Sequence, residues 1–202
     1  YFQPISSNIF GETKDTKQNE NTSPEPNSIY ALAKTTAYYA SKMYSKVYNL
    51  HICGAIFFNH ESPKRHRDYV SKKIVQNVCE IFYGKRKYIY LGNIKSKIDW
   101  GYAKEYVEFA WKIMQKKQPN FYVIGSGKNN SVEYFVKKCF QYVGLDYKKY
   151  IKIDKKLFRP SKTRNLLADT SKAKRDLKFK LKTDLDGLIK IMMDAEMKKY
   201  NG

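Results

Sequence analysis

The chain has 202 residues, 42% of them hydrophobic, and a formal net charge of +20. This hydrophobic fraction is typical of a globular protein and excludes an intrinsically disordered chain. No apolar run approaches the roughly 18 residues of a membrane-spanning helix, so the sequence predicts no membrane partner. The lysines are spread along the whole chain rather than gathered into one stripe. We therefore interpret the charge as solvated surface and expect no nucleic-acid partner.

The cysteines indicate the compartment. Cys53, Cys79 and Cys139 are scattered and form no C-x-x-C pair. Free, scattered cysteines are usually small buried apolar residues, and an odd number of them favours the reducing cytoplasm. The first residues show neither an initiator Met nor a signal-peptide pattern, so we expect the chain to begin inside a fold.

The first half of the chain alternates apolar runs with amphipathic segments. Residues 1–8 are predicted to be the end of a buried strand, and the polar residues 12–28 a loop. Ser28 is a suitable N-cap for a helix that ends near Asn49. The continuous apolar run at 51–58 has the length of a parallel strand covered on both faces.

The second half continues this alternation. The predicted elements are a helix over 69–83, a strand over 87–91, a helix over 102–116, a strand over 121–124, a helix over 131–143, a strand over 150–153, and helices over 171–177 and 184–200. The predicted apolar side of the 102–116 helix consists of Ala103, Val107, Ala110, Trp111 and Met114. Gly125-Ser126-Gly127 is predicted to be a simple turn, because it lacks the third glycine and the later acidic residue of a dinucleotide fingerprint. Together the elements predict an α/β fold with a doubly wound parallel sheet.

A tyrosine and a lysine stand four residues apart on the first predicted helix. Tyr30 and Lys34 therefore lie one above the other on one helix face. An unperturbed tyrosine hydroxyl is a poor acid–base group near neutral pH, and a neighbouring ammonium favours its phenolate. Ser6, at the end of the first predicted strand, completes a Ser-Tyr-Lys set. This set resembles that of the extended short-chain dehydrogenase/reductases.

Further segments narrow this resemblance. In chain order they are Phe58-Asn59-His60-Glu61-Ser62-Pro63, Tyr69-Val70-Ser71-Lys72-Lys73-Ile74, Leu91-Gly92-Asn93, Asp99-Trp100-Gly101-Tyr102-Ala103-Lys104, and Phe158-Arg159-Pro160. These segments resemble the GDP-mannose 4,6-dehydratase family over nearly the whole chain. The glycine-rich opening of a Rossmann domain is absent from the sequence. The chain is therefore similar to the C-terminal two-thirds of the family's chain.

The resemblance implies two domains. Residues 1–60 would be the C-terminal part of the dinucleotide-binding domain and would carry the Tyr-Lys helix. Residues 61–202 would form mainly a smaller α/β domain that binds the nucleotide-sugar, with 102–124 returning to the Rossmann-like sheet.

The resemblance also implies an NADP-dependent hydro-lyase of nucleotide-sugar metabolism, on the route to GDP-fucose. Its reaction passes a hydride from C4 of a GDP-hexose to NADP and then removes water to give a 4-keto-6-deoxy sugar. Tyr30 would take the proton from the C4 hydroxyl, Lys34 would hold the nicotinamide ribose, and Ser6 would hydrogen-bond the substrate oxygen. NAD in place of NADP, and a GDP-heptose in place of the hexose, stay open.

Other positions correspond to ligand contacts of the family. The cofactor set is Tyr30, Lys34, His60 and Arg65, and the nucleotide-sugar set is Asn59, Lys73, Gly92 and Arg159. The resemblance implies no metal. The basic residues 64–67 resemble a segment that reaches a neighbouring subunit's cofactor, which implies a homo-dimer or homo-tetramer.

One position departs from the family pattern. The dehydratases carry a Glu two residues after the catalytic hydroxyl residue, where this chain has Asn8. A carboxamide is not basic near neutral pH and cannot remove the C5 proton. Two alternatives therefore stay open beside the dehydratase: a C4 dehydrogenase, epimerase or reductase that does not dehydrate, and a non-catalytic partial chain.

Overall fold

The computed structural model describes residues 1–158 and 166–200, in which strands and helices alternate. The strands are β1 (Phe2–Ser6), β2 (Cys53–Phe57), β3 (Asn59–Glu61), β4 (Ile89–Leu91), β5 (Lys97–Tyr102), β6 (Phe121–Ile124), β7 (Asn129–Ser131) and β8 (Ile151–Ile153). The helices are α1 (Ile29–Val47), α2 (Val70–Phe82), α3 (Ala103–Met114), α4 (Val132–Tyr142), α5 (Ser171–Leu177) and α6 (Leu185–Met197). The predicted α/β fold is confirmed, and none of the helices in these two ranges is long and apolar enough to cross a membrane.

The chain divides into two compact units. The first consists of Tyr1–His60, Ile98–Asn129 and the described part of Ser161–Lys182; the second consists of Glu61–Lys97, the described part of Asn130–Pro160, and the described residues from Thr183 onward. The sequence predicts a domain boundary after residue 60 and a return of 102–124 to the sheet, and these domains stay predictions. In the structure, α5 belongs to the first unit and contacts β6. The roles of the two units in binding stay predictions.

A parallel sheet with strand order β1-β2-β6 forms the centre of the first unit. Its middle strand β2 is buried from Cys53 to Ile56, as predicted for a strand covered on both faces. The cluster on one face includes Ile5, Tyr38, Ile56, Phe121 and Val123, and that on the other face includes Ala55, Tyr106, Phe109, Ile124 and Leu177. Thus α1 covers one face, and α3 with α5 covers the other.

The predicted apolar side of α3 is wrong at Val107 and Trp111, whereas Met114 is partly buried against the sheet cluster as predicted. Val107 and Trp111 are 67% and 65% exposed. The buried side chains are instead Tyr106, Phe109 and Ile113, which pack against the sheet. The helix has two apolar stripes, and the stripe with two large aromatic rings buries more apolar area on the sheet.

The polar segment after β1 is a structured arm, which we define as residues 12–25. At its base, the Glu12 N–H donates to the Glu25 carbonyl oxygen (3.3 Å), and the Glu25 N–H donates to that of Ile9 (2.9 Å). Gly11 allows this closure, because it has a φ of +43° and an added Cβ would lie 1.9 Å from the Glu25 oxygen. Farther along the arm, the polar residue Gln18 is buried. The sequence predicts a loop here but not its buried Gln18.

The second unit is built on α2, α4 and α6, which contact one another, with the parallel pair β4–β8 beside them. Ser131 and Asp184 cap α4 and α6 by accepting backbone N–H groups of Tyr134 (3.0 Å) and Gly187 (2.8 Å). Cys79 and Cys139 are fully buried in this unit, and the free, buried state predicted for all three cysteines is confirmed.

Candidate active site

The candidate active site lies at the carboxyl edge of the first unit's sheet. The last residues of the three strands are in register, since Ser6 pairs with Phe57 and Phe57 with Ile124. The strands are parallel, so the loops that follow them emerge at the same edge. Ligands of open α/β sheets bind outside the carboxyl ends of the strands. Ser6 and Asn8 are therefore at the edge where such a ligand binds.

The backbone holds Ser6 in a defined orientation. Its Oγ accepts the N–H of Asn8 at 3.2 Å and caps the short 3₁₀ helix Ser7–Phe10. A hydroxyl has one donor and two acceptor sites, so Ser6 can still donate to a ligand. The side chain of Asn8 is exposed on this turn.

Tyr30 and Lys34 occupy the first turns of α1. Ser28 caps this helix by accepting the Ala31 N–H at 3.2 Å, as predicted. Tyr30 is 54% exposed, and the Lys34 Nζ lies 5.9 Å from the centre of its ring. The same Nζ donates to the carbonyl oxygen of Pro4 at 3.3 Å. Lys34 thus joins the helix that carries Tyr30 to β1, two residues before Ser6.

The residues after β2 differ in exposure. Asn59 is exposed, whereas the His60 ring lies 5.4 Å from that of Phe57 and 5.3 Å from that of Tyr106, between ring centres. The His60 Nδ1 is 2.9 Å from the Phe58 carbonyl oxygen. A carbonyl can only accept, so this nitrogen carries the proton. The backbone and two aromatic rings therefore fix the orientation of His60.

Asp99 lies near the start of β5, in the part of that strand that belongs to the first unit. Its side chain holds two neighbouring loop segments by hydrogen bonds, a role that the sequence did not indicate. It is 1% exposed, and its Oδ1 accepts the N–H (2.7 Å) and the hydroxyl (2.6 Å) of Ser126. Its Oδ2 accepts the N–H groups of Gly127 (2.9 Å) and Ala168 (3.1 Å). Burial raises the pKa of Asp99, and the hydrogen bonds from Ser126, Ala168 and Gly127 oppose that rise only in part.

The other predicted ligand residues belong mostly to the second unit. Arg65 pairs with Glu61 (Nε to Oε2, 3.1 Å), and its Cζ lies 3.4 Å from the ring centre of Tyr69. Burial raises the pKa of the Glu61 carboxyl. The hydrogen bond from the Ser71 hydroxyl and the positive charge of Arg65 act to lower it, but by less. Arg65 thus has partners within its own unit.

Two predicted nucleotide-sugar residues lie on elements of this unit. Lys73 is half-buried near the start of α2. Gly92 follows β4, where an added Cβ would lie 2.6 Å from the Leu157 carbonyl oxygen, so only glycine fits. Arg159 lies outside the described residues.

The family model described as GDP-mannose 4,6 dehydratase matches residues 1–192 of the chain. The chain belongs to the GDP-mannose 4,6-dehydratase family. It is 39% identical over 197 residues to GDP-mannose 4,6 dehydratase 1 of Arabidopsis thaliana, covering 98% of this chain and 54% of that protein. It is 33% identical to GDP-mannose 4,6 dehydratase of Homo sapiens, covering 98% and 58%. The chain thus spans little more than half the length of these curated relatives.

Solved structures agree on the fold. RMD from Pseudomonas aeruginosa, complexed with NADPH, superposes with a TM-score of 0.89 at 13% identity, covering 98% of this chain and 66% of that one. dTDP-glucose 4,6-dehydratase from Bacillus anthracis, in complex with NAD, gives 0.85 at 18% identity, covering 99% and 62%. These likenesses support a Rossmann-like fold for the chain.

Tyr30 and Lys34 lie on α1, and the Lys34 Nζ reaches β1 two residues before its carboxyl end. Their contact with a nicotinamide ribose stays a prediction. The turn at Gly125-Ser126-Gly127 does not fit the pyrophosphate, because Asp99 already takes the N–H groups of Ser126 and Gly127. The prediction of a simple turn is therefore confirmed.

Proposed function

We propose that the full-length protein carrying this chain is a GDP-mannose 4,6-dehydratase-type hydro-lyase that acts on a GDP-hexose with NADP. The observation that carries this proposal is the set at the carboxyl edge, where Lys34 joins the helix of Tyr30 to the strand that ends at Ser6. The names of the curated relatives and the length of the match support it. NAD and a GDP-heptose remain the alternative cofactor and substrate.

The proposed mechanism gives each of the three side chains one task. NADP, when bound, supplies the hydride acceptor for oxidation at C4. Tyr30, as the phenolate, accepts the proton of the C4 hydroxyl and becomes a neutral phenol, and the Lys34 ammonium is the counter-charge of the phenolate before the transfer. The Ser6 hydroxyl donates to the sugar oxygen and orients it.

We propose ligand contacts for the remaining predicted positions as well. Asn59 is exposed beside the carboxyl edge and is suited to hydrogen-bond a sugar or nucleotide. The other proposed contacts are Lys73, Gly92 and Arg159 for the nucleotide-sugar and His60 and Arg65 for the cofactor. For Arg65 this requires the guanidinium to be shared between Glu61 and a phosphate, since it already pairs with the Glu61 carboxylate.

Asn8 bears on the dehydration step. The family favours elimination of water, which begins with removal of the C5 proton. Asn8 is exposed next to Ser6, where its carboxamide can orient a sugar but cannot accept a carbon-bound proton. This one observation favours the second candidate, a C4 dehydrogenase, epimerase or reductase on a GDP-sugar.

The product mass distinguishes the candidates. The full-length protein is incubated with GDP-mannose and NADP, and the products are followed by mass spectrometry. Loss of water identifies a dehydratase, and loss of two hydrogens identifies the C4 oxidoreductase. An epimer has an unchanged mass, and its altered configuration is identified by proton NMR. Absence of all three changes contradicts both and favours the non-catalytic chain.

Two tyrosines on α1 supply a test variant and its matched control. Tyr30→Phe removes the proposed proton acceptor and lowers turnover by about a hundredfold or more. Tyr39→Phe removes an equally exposed hydroxyl from the same helix and leaves turnover unchanged. Equal activities of the two variants would contradict the role of Tyr30.

We further propose that the protein is a homo-oligomer of the cytoplasm. The oligomer is supported by an exposed apolar face on α1, which consists of Leu32, Tyr39, Met43 and Val47. Three free, buried cysteines support a reducing compartment. We propose no nucleic-acid partner, and steeply salt-dependent DNA or RNA binding would contradict this.

A further inference from the structure

A short segment of the first unit, residues 167–169, is held by two buried polar side chains. Gln18 pairs with it as a parallel bridge: the Gln18 N–H donates to the Leu167 oxygen, and the Asp169 N–H donates to the Gln18 oxygen, each at 2.9 Å. The Ala168 N–H donates to Asp99 at 3.1 Å. Successive N–H groups of an extended segment point in opposite directions. Gln18 and Asp99 therefore hold the segment from opposite sides.

Both the oxygen and the nitrogen of the Gln18 side chain form hydrogen bonds in this arrangement. Its Oε1 accepts the Leu167 N–H at 2.7 Å, and its Nε2 donates to the Asp15 carbonyl oxygen at 2.7 Å. Gln18 is only 1% exposed, so these bonds form away from water. A buried polar group whose donor and acceptor atoms both have partners is expensive to disturb.

These contacts link two segments at the carboxyl edge of the sheet, namely the arm after β1 and the turn after β6. The arm that carries Gln18 starts just after Asn8 and ends just before the helix of Tyr30. Asp99 fixes the turn after β6, and an added Cβ on Gly125 in that turn would lie 2.4 Å from the Ala168 Cβ. A continuous chain of hydrogen bonds thus runs from the β1–α1 connection through residues 167–169 to the turn after β6.

We propose that Asp99 and Gln18 are positioning residues, which hold the arm and the β6 turn in the geometry that binds the nucleotide-sugar; this rests on the proposed function. Both side chains are buried within the protein and have intramolecular partners, so neither reaches the C4 hydroxyl. Their loss therefore weakens substrate binding and leaves the proton transfer at Tyr30 nearly unaffected.

The test uses Asp99→Asn in the full-length protein. A carboxamide offers one acceptor oxygen, so either the Ser126 donors or the Gly127 and Ala168 donors face an N–H₂ group. We expect the KM for GDP-mannose to rise about tenfold to a hundredfold, with kcat within about threefold and the KM for NADP unchanged. Asp176→Asn is the matched control and leaves the KM within about twofold, because its carboxylate accepts the Arg175 Nε–H and Asp176 belongs to neither the arm nor the β6 turn.

A second variant and a direct structural readout keep the test independent of folding. Ser126→Ala removes a single donor to Asp99 and raises the KM by about fivefold. In ligand-free Asp99→Asn, the amides of Ser126, Gly127 and Ala168 exchange with deuterium faster than in wild type, whereas those of the second unit do not. Gln18→Ala raises the KM too, and the double variant is non-additive because both residues hold the same segment.

The outcomes separate this proposal from the proposed function. A KM for Asp99→Asn equal to that of Asp176→Asn, or a fall in kcat at unchanged KM, overturns the positioning role. If wild type does not transform GDP-mannose, the proposed function fails, and calorimetric titration of GDP-mannose then decides the positioning role. Weaker binding to Asp99→Asn than to wild type supports it, and equal or absent binding overturns it.

Discussion

At the scale of single residues, Asn8 is a position where the sequence predicts a departure from the chemistry of the family. The side chain is exposed at the end of β1, and its N–H is bound by Ser6. We predict that Asn8→Glu raises the rate of water loss from the GDP-sugar by about 100- to 10,000-fold, because a carboxylate adds the general base that a carboxamide lacks. The measurement is the rate of appearance of the dehydrated product by mass.

The control for this prediction is Asn8→Gln. It has the length of the glutamate variant but remains a carboxamide, so no gain in water loss is expected. A wild-type protein that already dehydrates as fast as Asn8→Glu would show that another group serves as the base.

The sequence could reveal the proposed catalytic residues but not the residues that hold them. Tyr30 and Lys34 are four residues apart on a capped helix, and Ser6 ends a strand, so local pattern is sufficient. The contacts of Asp99 with Ser126 and of Gln18 with Leu167 span 27 and 149 residues. Such pairings depend on how the chain folds back on itself, and neither residue carries a local signal of burial.

At the scale of secondary-structure elements, the end of α5 carries backbone strain. Lys178 has φ +52° and ψ 41°, a left-handed conformation that costs about 1–2 kcal/mol for a residue with a Cβ. We predict that Lys178→Gly increases the free energy of unfolding by about 1 kcal/mol, after allowance for the greater freedom of glycine in the unfolded chain. Urea denaturation of both proteins measures the difference.

The neighbouring Lys174 supplies the control for this change. It lies within α5 with helical neighbours, where a glycine is unfavourable. Lys174→Gly is expected to lower the free energy of unfolding by about 1 kcal/mol. Destabilisation by both glycine variants would mean that the left-handed conformation is not present at Lys178 in solution.

A buried ion pair joins α2 to α6 in the second unit. The Lys72 and Glu196 side chains are 6% and 4% exposed with 2.6 Å between Nζ and Oε2, and Lys199 adds a second contact at 2.8 Å. Glu196→Gln leaves the Lys72 ammonium without its counter-charge, and we expect it to cost about 3–5 kcal/mol. The matched control is Asp194→Asn, which breaks an exposed pair on the same helix at a cost of at most about 1 kcal/mol.

The same pair predicts a dependence of stability on pH. Burial raises the pKa of Glu196, but the hydrogen bonds from Lys199 and Lys72 outweigh this, and the net pKa lies below its ordinary value. A lowered folded-state pKa gives stability that is present above about pH 4–5 and is lost as the pH falls through the folded pKa. Between neutral pH and about pH 3, wild type should therefore lose more unfolding free energy than Glu196→Gln. If wild type and Glu196→Gln lost the same unfolding free energy over this pH range, the prediction would be contradicted.

Local sequence signals predict where the helices begin. They do not always predict which face of a helix is buried. Caps at Ser28 and Ser131 predict where α1 and α4 begin, because capping involves only the next three residues. For α3 the pattern offers two apolar stripes, and only the sheet decides that Tyr106 is buried and Trp111 exposed. Periodicity predicts that a helix is amphipathic; its neighbours determine its orientation.

At the scale of the whole molecule, the apolar face of α1 predicts self-association. Leu32, Tyr39, Met43 and Val47 recur at intervals of seven, four and four residues along one side of the helix, and each is about half exposed or more. An exposed apolar surface of this kind is typical of an interface. We predict that the full-length protein has a mass in solution that is a multiple of its chain mass, and that Met43→Glu shifts it to the monomer. The charge would be buried at the interface without a partner.

Light scattering coupled to gel filtration measures this mass. Tyr44→Glu is the matched control, because it adds the same charge at an exposed residue about 100° farther around α1, away from the apolar face. It is expected to leave the oligomer intact. A monomeric wild type would exclude the oligomer, and equal dissociation by both variants would mean that total charge rather than this face governs association. Dissociation by Met43→Glu alone would identify α1 as the interface.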